Sequence, residues 1–468
     1  MNEENINMDI DKISAVYFVG AGGIGMSALI RYFLSKGIKV GGYDRTSSEL
    51  TEQLRKEGAD IHYEDNIDLI PADFTDRTTT LVVYTAAIPD TNSELSFFRN
   101  LDFVMMKRAR VLGEITNRLR SLCVAGTHGK TTTSSMIAHI LKQSHVDCSA
   151  FLGGILKNYN SNLMLSEKSD LTVVEADEFD RSFHWLNPYM AVITAADPDH
   201  LDIYGTPQAY RESFEHFTSL IRPGGCLVIK KGINVTPQLQ EGVKLYTYAS
   251  TGDADFHAEN IRVGNGEIFF DFVGPEVRIA DIQLGVPVKV NIENGVAATA
   301  IAWLNGATPD EIRQGMASFQ GAKRRFEFHL KTDKIVLIDD YAHHPQELKA
   351  SILSVRDLYP HRKLTGIFQP HLYTRTRDFA ADFAKSLSML DELILLDIYP
   401  ARERPIPGVT SKIIFDAVTI PAKRLIKKDE LLKLVSAERD KLDVVLMVGA
   451  GNIDLLVEPV KQILEKKI

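Results

Sequence analysis

SLCVAGTHGKTTTSSMIAHILKQ, residues 121–143, reads as a strand, a glycine turn and a helix. SLCVA is a short apolar run of buried-strand type, and beyond the turn Met136, Ile137, Ile140 and Leu141 recur at helical spacing. Between them lies Gly126-Thr127-His128-Gly129-Lys130-Thr131-Thr132, a compact P-loop with one residue fewer than usual between its two glycines. Such a turn aims backbone N–H groups and a helix N-terminus at phosphates, with Lys130 for the β/γ oxygens and the Thr131 hydroxyl for magnesium. A chance glycine turn with a solvated lysine is the competing reading. Strand, glycines, Lys-Thr and helix together argue against it.

Downstream, LTVVEAD (171–177), MAVITAA (190–196) and GCLVIKK (225–231) are further strands, separated by helix-like stretches such as QAYRESFEHFTSLI (208–221). Alternation of this kind predicts a parallel sheet with ligands at the strand C-terminal ends. Glu175 ends one of these strands and is a candidate magnesium carboxylate; Asp177 and Glu178 follow it. Side chains alternate along a strand, so the three cannot share one metal, and Asp177 and Glu178 are expected to be solvated. His200, in DPDHLD among Asp197, Asp199 and Asp202, is a second candidate for a cation site. HAENIRVGNGEIFFDFVG (257–274) reads as a hairpin around Gly264, Asn265 and Gly266, and ENGVAATAIAWLNG (293–306) as the closing helix.

Upstream, AVYFVG, AGGIGM, SALIRYFLSKG and KVGGYD (15–44) form a strand, turn, helix and second strand. Gly20, Gly22 and Gly25 make G-x-G-x-x-G in the turn, and Asp44 ends the next strand. Positions without side chains let the backbone approach a diphosphate, and the acidic group can reach a ribose hydroxyl. The pattern does not separate a nicotinamide dinucleotide from another nucleotide diphosphate, and a bare tight turn competes with both. TLVVYTAAIP gives another strand, and DFVMMKRARVLGEIT leads out through a basic stretch. Gly449-Ala450-Gly451-Asn452 lacks the third glycine and reads as a turn.

Toward the C-terminus, KRRFEFHL, KIVLIDDY, KLTGIFQ, ELILLDIY and DVVLMVGAG give a third alternating pattern. Lys323, Arg324 and Arg325 are a solvated run or, in a three-domain ATP enzyme, include an arginine that reaches the β/γ phosphates as domains close. Asp339-Asp340-Tyr341-Ala342-His343-His344-Pro345 ends one strand, and His371, Arg375 and Arg377 follow another. His and Arg at two strand ends suggest an anionic substrate; solvation competes for Arg375 and Arg377.

The chain has 468 residues, which at roughly 150 per domain suggests about three domains. Their expected bounds are 1–110, 111–323 and 324–468, and the fold class is α/β: a Rossmann-like N-terminal domain, a P-loop ATPase-like central domain with a parallel sheet, and an α/β C-terminal domain. With 44% hydrophobic and 25% charged residues, disorder and fibrous structure are excluded. A net charge of −9 argues against general binding of nucleic acid or anionic membranes. Cys123, Cys148 and Cys226 form no CxxC pair, which fits a reducing cytoplasm and no zinc knuckle. The opening MNEENINMDIDK is acidic and polar, unlike a secretory signal, and the apolar run Val16–Leu34 carries four glycines and Arg31, unlike a membrane span.

The strings VGAGGIGMSAL, AGTHGKTTT, VVEADEFDRSF, DPDHLDIYG, KRRFEF, DDYAHHP, FQPHLYTRTRDF and PIPGV, in that order, resemble the Mur ligase superfamily over nearly the whole chain. The resemblance implies a first domain that holds the UDP part of a sugar nucleotide rather than NAD, with Gly20, Gly22 and Gly25 on the diphosphate and Asp44 beside them. It assigns Gly126 to Thr132 to ATP, Thr131 and Glu175 to one Mg2+ and His200 to a second. Asn291 and Asn294 match a pair of asparagines, the second facing adenine. Arg325 matches a linker arginine on the ATP phosphates, Asp340 a nucleotide-side aspartate, and His344 and Arg375 substrate-side positions. Two positions discriminate within the family. Leu372 stands where Arg is usual, which removes one anion contact. Phe214 stands where several sister ligases have a carbamylated lysine, as in the branch that uses muramate and alanine.

The implied activity is ATP-dependent joining of L-alanine to the lactyl carboxylate of UDP-N-acetylmuramate through an acyl phosphate, by a monomer or homodimer, with Lys130, His200, Arg325 and His344 in the chemistry. Competing readings are a sister ligase that attaches a preformed peptide to the same sugar nucleotide, a nicotinamide-dependent oxidoreductase, and a non-catalytic nucleotide switch. The oxidoreductase reading leaves the P-loop unexplained.

Overall fold

In the first sheet β1 (Ala15–Val19) is flanked by β2 (Lys39–Tyr43) and β4 (Thr80–Tyr84), with β3 (Asp60–His62) and β5 (Val104–Lys107) outside them, all parallel. The run AVYFV is apolar at every position because helices and turns cover both faces. Val16 and Phe18 enter one core cluster; Ala15, Tyr17 and Val19 enter another on the opposite face. The computed structural model describes residues 13–85, 88–264, 266–401 and 403–467, the Asp202 side chain excepted. The opening MNEENINMDIDK, Ala86, Ala87 and Asn265 lie outside the described residues.

Ten strands make the second sheet: β6 (Arg120–Ala125), β7 (Ser149–Leu156), β8 (Ser161–Met164), β9 (Leu171–Glu175), β10 (Met190–Ile193), β11 (Cys226–Lys230), β12 (Lys244–Ala249), β13 (Phe256–Gly264), β14 (Glu267–Gly274) and β15 (Val277–Gln283). Their order is β15-β14-β13-β12-β11-β10-β6-β9-β7-β8. From β13 to β7 the pairings are parallel, and β8 is antiparallel to β7. β6 lies between β9 and β10, the place where successive connections leave in opposite directions and a ligand crevice opens. The expected hairpin is β13–β14.

The third sheet orders β16 (Glu327–Lys331), β17 (Val336–Asp340), β18 (Leu364–Phe368), β19 (Glu392–Leu395), β20 (Lys423–Leu425) and β21 (Val444–Val448) as β16-β17-β21-β18-β19-β20. All its pairings are parallel except β16 with β17. The α/β class with three parallel sheets is thus as the alternation predicts.

The chain divides into two compact units. The first runs through Glu259 and includes Phe272–Ile279 and Glu293–Met316; the second comprises Asn260–Asp271, Ala280–Ile292 and the described residues from Ala317 on. Within the first unit one core cluster passes from Val16, Phe18 and Phe33 to Phe151, Ala125 and Ile193, so the first two sheets share a hydrophobic interior. Phe214 is fully buried in that cluster, edge-on to Phe183, and offers no group to a metal. Among the described residues no helix is long and apolar enough to cross a membrane.

The helix after the P-loop, Lys130–Gln143, buries His139 on its sheet face, where Nδ1 meets the Tyr159 hydroxyl at 2.9 Å. Desolvation lowers this imidazole from 6.5 to about 4. The unfolded chain takes up a proton as pH falls below about 6.5, whereas the folded chain resists until about 4. Folding stability should therefore fall as pH drops through that window, by on the order of 2 kcal/mol for this ring. Denaturant unfolding of His139→Gln at pH 7 and pH 4.5 should show a shallower loss than the parent chain.

Candidate active site

β6 ends at Ala125, and Gly126 turns the chain with φ +136°, a conformation closed to residues with a Cβ. An added Cβ there would meet the Thr194 hydroxyl and the Ala195 amide. Gly129, φ +84°, is the N-cap of the helix and supplies no side-chain cap, leaving first-turn N–H groups available to an anion. The Thr127 hydroxyl donates to the Asp197 carbonyl at 2.8 Å and meets the Tyr210 hydroxyl at 2.8 Å. This contact ties the loop to the segment that carries His200. His128 is exposed, while its carbonyl accepts from the Thr194 hydroxyl; Thr132 is half-buried. Asn294 lies beneath the first turn, its Oδ1 accepting from the Thr133 hydroxyl at 3.2 Å.

Lys130 does not extend into solvent. Its Nζ donates to the Gly126 carbonyl at 2.7 Å and to Glu178 Oε1 at 2.8 Å. The Glu178 side chain is 2% exposed and that of Lys130 15%. The expectation that Glu178 is solvated is therefore corrected: its backbone leaves the strand pattern after Glu175, so alternation no longer governs where the carboxylate points. Asp177 is corrected as well, being paired with Arg108 at 3.1 Å.

Glu175 stands where the strand rule places it, opposite Val124 in the β6–β9 register. Its carboxylate accepts from the Gly153 N–H at 3.1 Å. A Cβ at Gly153 would lie 2.2 Å from Glu175 Oε1, so that position must be glycine for the carboxylate to sit there. Burial pushes the Glu175 carboxyl up, opposed by Lys130 and the Thr131 hydroxyl. The Thr131 hydroxyl and the Glu175 carboxylate are hard oxygen donors, a set whose chemistry suits Mg2+. His200 has φ +51° and caps Leu201–Tyr204; its ring packs edge-on to Phe179 and lies 3.8 Å from Asp199.

In the glycine turn of the first sheet, Gly20 has φ +95°, and Gly20 and Ala21 donate to the Tyr43 carbonyl at 2.8 and 2.9 Å. The Gly22 N–H donates to Asp44 Oδ2 at 2.7 Å, and Thr46 N–H to Oδ1 at 3.1 Å. Asp44 therefore holds the turn in shape. The helix Ile24–Ser35 begins at Gly23 without a side-chain cap. Gly25 leaves room for Arg108: a Cβ there would be 2.8 Å from its Nη1. Reading the sequence missed Arg108 and Lys107 as site residues, although both fall in the basic stretch noted above. Lys107 pairs with Asp180 at 3.1 Å.

These parts face one cavity of about 400 Å³, bounded at one end by Gly20, Gly25 and Asp44 and at the other by Gly153, Glu175 and Asp177, with Lys107, Arg108 and Phe179 along its wall. Glu175, at the end of the strand paired with β6, therefore shares this cavity with the glycine turn.

In the second unit, Arg325 lies over the Tyr341 ring at 5.6 Å. Buried Asp340 accepts from the Phe326 N–H at 3.3 Å and from the Ser351 hydroxyl, which fixes the chain just past Arg325; burial pushes its carboxyl up. His344 caps the helix Pro345–Leu358, with Nδ1 accepting from the Gln346 N–H, and its ring meets Phe379 edge-on. Arg375 Nη1 is 3.3 Å from His371 Nδ1, whereas Arg377 pairs with exposed Asp378. Leu372 has φ +69° and donates its N–H to the Tyr399 carbonyl. Glu327, His329 and Asp339 bring ligand-type atoms within 4.8 Å of one another, but the Arg324 guanidinium donates to Asp339 at 3.2 Å and already supplies positive charge there. Asn291 donates to the Val286 carbonyl at 3.1 Å.

Three family profiles match the chain: Mur ligase family, catalytic domain, over residues 15–120; Mur ligase middle domain over 124–302; and Mur ligase, glutamate ligase domain, over 324–451. A UDP-N-acetylmuramate–L-alanine ligase of Parabacteroides distasonis is 75% identical over 98% of this chain and 99% of its own. Among solved structures, a UDP-N-acetylmuramate–alanine ligase from Thermotoga maritima is 27% identical with a TM-score of 0.80, covering 97% of this chain and 98% of that one. A murein peptide ligase from Psychrobacter arcticus shares the fold at 20% identity and a TM-score of 0.64, covering 97% of this chain and 98% of that one. Matched in all three of its domains, and by a relative of that identity along its length, the chain belongs to the Mur ligase family.

Proposed function

We propose that this chain joins L-alanine to the lactyl carboxylate of UDP-N-acetylmuramate with ATP cleaved to ADP and phosphate, a step of peptidoglycan precursor synthesis. The observation that carries the reading is the single cavity from the glycine turn to Glu175, next to the P-loop. A sugar nucleotide held at its diphosphate by the helix N-terminus and Arg108 presents its far, carboxylate end toward the loop that binds the ATP phosphates. The 75% identical relative carries this activity in its name, and Phe214 in place of the lysine points to the same branch. A cytoplasmic setting fits three buried free thiols.

The chemistry follows from the weakness of a carboxylate as an electrophile. A lactyl oxygen attacks the γ-phosphorus and ADP leaves, giving an acyl phosphate. The neutral amine of alanine attacks the acyl carbon, and the tetrahedral intermediate expels phosphate and loses a proton. Lys130 and the first-turn N–H groups oppose the negative charge on the transferring group, the dominant contribution in phosphoryl transfer. Thr131 and Glu175 would hold one Mg2+ and His200 a second, and these ions would supply further neutralisation of the phosphates. From the second unit, Arg325, Asp340, His344 and Arg375 carry the roles implied by the family pattern.

Phosphate release should require ATP, UDP-N-acetylmuramate and L-alanine together, and a preformed tripeptide should not replace alanine; the reverse preference would favour the recycling ligase. Lys130→Ala should lower turnover by about 1000-fold or more with the folded state retained, as read by circular dichroism. Asp44→Ala, which frees the glycine turn, should raise KM for the sugar nucleotide by about tenfold and leave KM for ATP within about twofold, measured by steady-state kinetics. Gly153→Ala drives a methyl into the Glu175 carboxylate and should lower kcat by about 100-fold, with a raised Mg2+ requirement in a metal titration.

A further inference from the structure

The mechanism accounts for Lys130 but not for the buried carboxylate against it. We propose that Glu178 is a positioning residue for the P-loop lysine, fixing the ammonium so that one of its N–H bonds is directed at a phosphate oxygen. This rests on the ATP reading of the loop given above.

An ammonium has three donors and a long stem that rotates freely in solvent. Here one donor is taken by the Gly126 carbonyl at 2.7 Å, and Glu178 lies within 2.8 Å through Oε1 and 2.7 Å through Oε2. Two fixed acceptors on a tetrahedral group define the direction of the third bond. The Gly126 carbonyl belongs to the loop itself, and Glu178 is the acceptor supplied from outside it.

Glu178 is in turn held on several sides. Ala176 N–H continues the β6 ladder through the Val124 carbonyl, and Phe183 N–H closes back on the Asp177 carbonyl, both at 2.9 Å. The Tyr204 hydroxyl donates to the Glu178 carbonyl. On either side Asp177 pairs with Arg108 and Asp180 with Lys107, each at 3.1 Å. Asp180 and Arg181 both take φ +53°, a conformation that costs energy without glycine and persists only where neighbours enforce it. A segment pinned in this way keeps its carboxylate in place more rigidly than a free loop.

The test is steady-state kinetics of the full chain with UDP-N-acetylmuramate, L-alanine and MgATP. Glu178→Ala should lower kcat by about 10- to 100-fold while KM for UDP-N-acetylmuramate stays within about twofold and the unfolding temperature is retained. Glu178→Gln keeps an acceptor oxygen at the same reach and should return kcat to within about threefold of the parent. A Glu178→Ala enzyme within about twofold of the parent, or Ala and Gln variants equally slow, overturns the positioning role. Should the Ala variant fail to fold, Glu178→Leu, which fills the volume without an acceptor, carries the same expectation. An inactive parent chain overturns the ligase reading and this proposal together; an active parent with an unimpaired Glu178→Ala overturns this proposal alone.

Discussion

Charge has to be brought close to charge in this site without water between, and the protein does so mainly with backbone. At two strand-to-helix turns, after β1 and after β6, a glycine with positive φ reverses the chain and leaves an uncapped helix N-terminus facing outward. Polar groups around them keep those turns in shape: Asp44 on Gly22, Asn294 under Thr133, Glu178 and the Gly126 carbonyl on Lys130.

A cavity of about 400 Å³ joins the first of these turns to Gly153 and Glu175. On the function proposed above, the glycine turn takes the diphosphate of the substrate and the Glu175 side faces its carboxylate. The aspartates along the wall are already paired with Arg108 and Lys107, which limits the repulsion an anionic substrate would meet.

The strands, the glycine turns, Glu175 and the parallel sheets were legible in the sequence because each depends on local rules: apolar runs, glycine at strained φ, carboxylate at a strand end. Glu178 was not, since it follows the strand by three residues in a segment bent by left-handed Asp180 and Arg181, where alternation has no meaning. Gly153 was missed because its neighbour Glu175 meets it only through sheet packing. Arg108 has no local signal beyond a basic stretch; its position depends on the missing side chain of Gly25. The resemblance to a known family named residues of the second unit that spacing alone left undecided between substrate contact and solvation, and Arg377, paired with exposed Asp378, shows the solvated outcome.

The central claim is that the sugar carboxylate itself attacks the γ-phosphorus. UDP-N-acetylmuramate labelled with oxygen-18 in its lactyl carboxylate tests it most directly, with the released phosphate examined by 31P NMR after turnover with ATP and L-alanine. An acyl phosphate intermediate delivers one labelled oxygen to the phosphate. Phosphate free of label, formed while the amide product accumulates, would contradict it.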